Sequence, residues 1–171
     1  MLVTLTGFMG SGKTTVGKVL ADFLGCPFYD LDELVVKKAG KPIPALFADG
    51  GEAAFRTLEA KVLRQAVEKY AESTAVLSLG GGTLGTPASA RLVAERTTCI
   101  FLRAGVDTLA ARLAPEAACR PLLRGAPDLR ERIASLLEAR AATYEATAHV
   151  VVNTDGLAPE EIADEIVISC L

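Results

Sequence analysis

The sequence has no tryptophan, only one histidine (His149), and four cysteines, Cys26, Cys99, Cys119 and Cys170, that stand far apart with no C-x-x-C pair among them. One imidazole and scattered thiols leave too little for a zinc site, and the cysteines read as reduced thiols, not as a disulfide framework. No apolar run approaches the ~18 residues of a membrane helix, so no membrane partner is expected. Positive charge is also in short supply. Lysine and arginine total 18 against 21 acidic residues, a net charge of -3, and a duplex nucleic-acid surface would call for a basic stripe that is missing here. The chain opens on an apolar strand-like stretch without a basic leader and small-residue cleavage site, and a cytoplasmic location is expected. Repeats and low-complexity segments are lacking too.

What is present suits one globular domain of residues 1–171: half of the residues are apolar and 23% are charged, with enough chain for a single core. Its centre is Gly7-Phe8-Met9-Gly10-Ser11-Gly12-Lys13-Thr14, which satisfies the phosphate-loop pattern G-x-x-x-x-G-K-[ST]. Residues 1–6 read as a buried strand, and Val16, Val19, Leu20 and Phe23 recur at helical spacing directly after the loop. Strand, glycine turn and helix then aim backbone N–H groups and a positive dipole end at an anion. Lys13 is expected to reach the β- and γ-phosphates of a nucleotide, and Thr14 to take a place on Mg²⁺.

Further strands are expected at residues 26–30, 74–79, 99–102 and 150–152, alternating with helices. Buried, non-alternating strands of this kind call for a parallel sheet covered on both faces, a three-layer α/β/α domain of five strands. Asp30 and Asp32 are read as the end of the second strand, two apart and so facing one way, with Leu31 toward the core. A short turn of helix through Leu46 and Phe47 is expected to break at Asp49-Gly50-Gly51, and a helix from about Glu52 to Tyr70 then places Phe55, Val62, Leu63 and Ala66 on one face, with Glu59 in the middle of that arc and Arg56 at its edge. Gly80-Gly81-Gly82 ends the third strand where ligands of open α/β sheets sit. From 114 to 128 the pattern lapses into prolines and a glycine with Arg120 and Arg124 among them, and a lid is expected there. Arg140 falls at the centre of the apolar stripe formed by Leu129, Ile133, Leu136, Leu137 and Tyr144. His149 is expected to be structural and Cys119 an ordinary exposed thiol.

Two arginines facing inward suit a carboxylate, which Arg holds by paired hydrogen bonds. A carboxylate such as Asp32 suits a hydroxyl that it can orient and deprotonate. Together they describe a polyhydroxylated acid as phosphoryl acceptor. A gluconate kinase and a regulatory nucleotide-binding module share the loop, but the first has less use for two inward arginines and the second less use for the acidic pair and Arg120.

The motifs Gly7 to Thr14, Asp30-Leu31-Asp32, Gly51 to Glu59, Gly80-Gly81-Gly82, Arg120-Pro121-Leu122-Leu123, and Arg140 with Tyr144 follow one another in the order of the shikimate kinase family, which the sequence closely resembles. The resemblance implies ATP-dependent phosphorylation of the 3-hydroxyl of shikimate in chorismate and aromatic amino-acid synthesis, by a monomer with strand order 2-3-1-4-5 like other nucleoside monophosphate kinases. It implies that Gly10, Ser11, Gly12, Lys13, Thr14 and Thr15 hold the nucleotide phosphates, that Arg112 stacks on adenine and that Arg120 closes from the lid. Asp30 is implied on Mg²⁺ beside Thr14. The acceptor would lie within a segment of about 31–60 and its surroundings: Asp32 as base, Arg56 and Arg140 on the carboxylate, Glu59 steadying Arg56, Phe47 and Phe55 as apolar walls, and Gly80, Gly81 and Gly82 as backbone lining. Two places depart from the family pattern. Leu79 stands where a threonine is frequent, and after Asn153, where the family often presents an Arg or Pro to the second face of adenine, the segment here is Thr154-Asp155-Gly156-Leu157-Ala158-Pro159.

Overall fold

The computed structural model describes residues 1–170. Its strands are β1 (Leu2–Thr6), β2 (Phe28–Asp30), β3 (Ala75–Ser78), β4 (Thr98–Arg103) and β5 (Val150–Asn153), in one sheet of order β2-β3-β1-β4-β5. Every pairing is parallel, with Val3 opposite both Val76 and Thr98 and Ile100 opposite Val150. The strand order matches the expectation. All five C-terminal ends therefore lie along one edge, where ligands of such sheets bind.

Among the described residues seven helices cover the two faces: α1 (Lys13–Leu24), α2 (Leu31–Ala39), α3 (Ile43–Tyr70), α4 (Pro87–Arg96), α5 (Val106–Leu113), α6 (Leu129–Thr147) and α7 (Pro159–Cys170). On one side Val16 and Leu20 of α1 and Ile162 and Ile166 of α7 pack on Val3, Leu5, Ile100 and Val152. On the other, Leu31, Val35, Leu63, Val67, Val93 and Tyr144 cover Leu77, Cys99 and Phe101. Helix α1 lies so close to the sheet that a Cβ on Gly17 would strike the Phe28 ring. His149 is structural, its Nδ1 accepting from the Cys99 N–H at 3.0 Å.

Three local readings change. First, Asp32 is not on a strand. β2 stops at Asp30, whose side chain accepts from the Asp32 and Glu33 N–H groups and caps α2; an aspartate oxygen satisfies the orphan donors of a first helical turn and so favours a helix start over a longer strand. Asp32 thus sits in the first turn of α2, while Leu31 is fully buried as expected. Second, the helix starting at Ile43 continues past Asp49 and Gly50 and breaks only at Gly51, at φ 74° and ψ -178°. A Cβ at Gly51 would meet nothing within 4 Å, so it is the positive φ and not a lack of space that calls for glycine. Third, the 114–128 segment is not irregular throughout. Ala114–Cys119 forms a 3-10 turn, and Leu123 inserts into a small core with Phe8, Leu109, Leu113 and Ile133. The segment expected to act as a lid is anchored from below.

Candidate active site

The loop after β1 uses positive φ at Gly7, Gly10 and Gly12, the last at 93° as the residue before α1. No side chain caps the N-terminus of α1, so its first N–H groups face the loop's interior, an anion site ready made. The hydroxyl of Ser11 is buried there without a partner. Lys13 is also buried, and its Nζ donates to the carbonyls of Gly7 at 2.8 Å and Phe8 at 2.9 Å. Burial lowers its pKa to about 8 against the upward pull of Asp32 and Asp30. Thr14 Oγ1 donates to Asp30 Oδ2 at 3.1 Å, so the two oxygens expected around a cation are already neighbours.

A cavity of about 480 Å³ opens over this loop and takes in Gly10 to Thr15, Asp30, Asp32, Gly80, Arg112 and Arg120. Arg112 donates to the Gly10 carbonyl at 3.1 Å. Leu157 and Pro159 line the same cavity, so the segment that departs from the family pattern contributes an apolar surface there. A second hollow of about 100 Å³ adjoins it, sharing Met9, Asp32, Gly80, Gly81 and Arg120. Phe47, Phe55, Arg56, Glu59, Gly82 and Arg140 also line it, with Ile43, Pro121 and Leu122. The structure therefore brings together every residue expected around the acceptor, although they come from α2, both halves of α3, the loop after β3 and α6.

In this hollow Asp32 has its pKa raised to about 6, first by burial and then by the neighbouring charges of Asp30 and Glu59, with Lys13 and Arg56 working against the rise. Such a carboxylate is poised to exchange a proton near neutrality. Arg56 Nη1 donates to Glu59 Oε1 at 2.9 Å, and the guanidinium lies 5.1 Å from the centre of the Phe55 ring. The Phe55 and Phe47 rings are 4.8 Å apart. Arg140 lies over Phe8, and its Nη1 is buried without a partner. One turn further along α6, the Tyr144 hydroxyl donates to the Gly81 carbonyl. The glycines are required by contact: a Cβ on Gly82 would collide with the Arg56 guanidinium, and one on Gly81 would come within 3.1 Å of the Met9 nitrogen. Arg120 is held by Glu116 at 2.6 Å, on the rim of both cavities.

Two contacts lie beyond the sequence reading. Thr83 opens a 3-10 turn, Thr83–Gly85, behind the triple glycine, and its buried hydroxyl donates to Glu59 Oε2 at 2.8 Å. The other is Glu116, the partner of Arg120 in the lid. Its spacing of four from Arg120 is the signal that could have found it.

A family profile described as shikimate kinase matches residues 9–170. A shikimate kinase of Thermus thermophilus is 44% identical over 165 residues, which span 96% of this chain and 87% of that protein. The Streptomyces coelicolor shikimate kinase is 43% identical over 161 residues, 94% of this chain and 90% of that protein. Among solved structures, the shikimate kinase of Acinetobacter baumannii in complex with shikimate superposes with a TM-score of 0.90 at 32% identity, covering 97% of this chain and 90% of that one. The Aquifex aeolicus shikimate kinase superposes with a TM-score of 0.84 at 37% identity, covering 99% and 95%. A sheet of the expected order, a phosphate loop opening onto an arginine-lined hollow, and these full-length likenesses lead to one assignment: the chain belongs to the shikimate kinase family.

Proposed function

We propose that this protein transfers the γ-phosphoryl group of ATP to the 3-hydroxyl of shikimate, giving shikimate 3-phosphate and ADP for chorismate and aromatic amino-acid synthesis. The observation that carries this reading is the shared wall of the two cavities, where Asp32 stands between the cavity lined by Lys13 and the hollow lined by Arg56 and Arg140. The whole chain acts as one kinase domain and, like its family, as a monomer. The acceptor segment is residues 31–60 with the glycine loop and Arg140. The lid is 114–128.

In this mechanism ATP lies with its phosphates on Gly10 to Thr15 and its base beside Arg112. Shikimate places its carboxylate between Arg56 and Arg140, its ring against Phe47 and Phe55, and its 3-hydroxyl at Asp32. The hydroxyl oxygen attacks the γ-phosphorus as the bond to the β–γ bridging oxygen breaks, and the hydroxyl proton passes to Asp32. No phosphoenzyme forms. Lys13 and Arg120 face the charge that spreads over the transferring group, and the lid keeps water from taking the acceptor's place. Thr14 and Asp30 would hold Mg²⁺. An all-oxygen pair with no cluster of three acidic, His or Cys ligands among the described residues fits an ion that keeps waters and phosphate oxygens as its other ligands. When bound, the ion would neutralise phosphate charge.

ADP release from ATP, compared for shikimate, quinate, gluconate and no acceptor, with and without EDTA, tests the assignment. Metal-dependent release with shikimate alone is expected. Release with gluconate alone would overturn the acceptor pocket, and nucleotide binding without any turnover would favour a regulatory module.

Arg140 gives a sharper test of the pocket. Replacing it by lysine keeps the charge and removes the planar fork. Losing one charge-assisted hydrogen bond of about 1.5–3 kcal/mol should raise the shikimate KM by roughly ten- to a hundredfold with the ATP KM unchanged. An unchanged shikimate KM would remove Arg140 from the carboxylate site.

A further inference from the structure

We infer that Thr83 is a positioning residue for the acceptor's carboxylate, acting through Glu59 to keep part of the Arg56 guanidinium free. The inference rests on the reading of Arg56 as a carboxylate holder. Glu59 is 1% exposed, and each of its oxygens has a different donor: Oε1 takes Arg56 Nη1 at 2.9 Å, and Oε2 takes the Thr83 hydroxyl at 2.8 Å. A carboxylate beside an arginine otherwise tends to accept the fork with both oxygens, in a pair of parallel bonds. Here the hydroxyl holds the second oxygen away. Among the described residues Arg56 Nη2 is left with only the Glu52 carboxylate at 3.6 Å, beyond hydrogen-bond reach, and so remains available to a ligand.

Thr83 is well placed to do this. It is fully buried, and its own N–H is fixed on the Gly80 carbonyl at 3.2 Å. Gly80 packs on the same junction, since a Cβ there would stand 2.9 Å from Glu59 Oε2, 3.0 Å from the Thr83 hydroxyl and 3.3 Å from Asp32 Oδ1. The turn behind the glycine loop thus sets the clamp as well as lining the hollow.

The test compares T83V, which keeps the branched shape without the hydroxyl, with T83S, which keeps the hydroxyl. Steady-state kinetics with each substrate varied, and melting temperature with and without shikimate, are measured on the full chain. T83V is expected to raise the shikimate KM about tenfold, the size of one hydrogen bond to a charged group, and to shrink the shikimate-induced rise in melting temperature. Its ATP KM and saturated kcat stay within about threefold of wild type, and T83S within about twofold throughout. A purely structural role would lower the melting temperature and leave the split between the two KM values untouched. A wild-type shikimate KM in T83V, or a T83S as impaired as T83V, overturns the inference. Should T83V not fold, Thr83→Ala gives the same comparison. A wild-type protein that neither turns over shikimate nor is stabilised by it would instead overturn the acceptor assignment, before any variant is compared.

Discussion

Lys13→Met is expected to lower shikimate-dependent ADP release by a factor of about a hundred to a thousand while leaving the protein folded. The two halves of that expectation have separate causes. Lys13 is only 8% exposed and its ammonium is held by the loop's own carbonyls, so an unbranched apolar side chain of similar length occupies the same space and is spared the burial of a charge. What disappears is a fixed positive group where charge develops in the transition state, and loss of a single preorganised donor typically removes a factor of about a hundred to a thousand. Lys13 also contacts the ground-state phosphates in this mechanism, so ATP binding weakens as well. Turnover measured at saturation separates the two. An active variant would take Lys13 out of the transfer step.

Asp32→Asn should lower kcat by about a hundred- to ten-thousandfold, the range for a removed general base, with ATP binding within about threefold. The pH dependence follows from the same carboxylate. Its pKa is raised from 3.8 to about 6, so it is protonated and unable to accept the hydroxyl proton below that point, and ionised above it. For the wild type, kcat/KM for shikimate should therefore climb with pH through about 6 and level off above. In the variant that limb disappears along with most of the rate. Near-normal turnover, or a residual activity that keeps the limb at about 6, would assign the proton to another group.

How much of this is legible in the sequence depends on the range of the signal. Runs such as Ala75 to Leu77 and Ile100 to Leu102 announce strands covered on both faces because neither side of the chain is polar. The inward charges Glu59 and Arg140 stand out against apolar helical stripes, and the structure places both beside the glycine loop. Asp32 goes astray when a two-residue period is applied to Asp30-Leu31-Asp32, although Asp30 followed by Glu33, with Leu31, Leu34 and Val35 at helical spacing, carries a helix start. Thr83 has no local signal at all. A threonine after three glycines gains its partner only when α3 is laid 24 residues away in sequence against the end of β3. The 3-10 turn at Ala114–Cys119 is hidden by its length, since so short a turn leaves too few positions for a period to be read.

The break at Gly51 divides α3 into units of unequal local stability. Beyond it, Phe55, Glu59, Val62, Leu63, Ala66 and Val67 are buried, whereas from Ile43 to Ala54 no side chain is. Amide hydrogen exchange should accordingly protect Val62 to Val67 near the level of global unfolding and release the amides of 46–50 by local opening, many times faster. One wall of the acceptor pocket, Phe47, then belongs to a fragment that opens by itself, and the clamp of Arg56 and Glu59 to one that does not. A ligand touching both joins them, and slower exchange at 46–50 on binding would measure how much of its affinity goes into ordering that short helix.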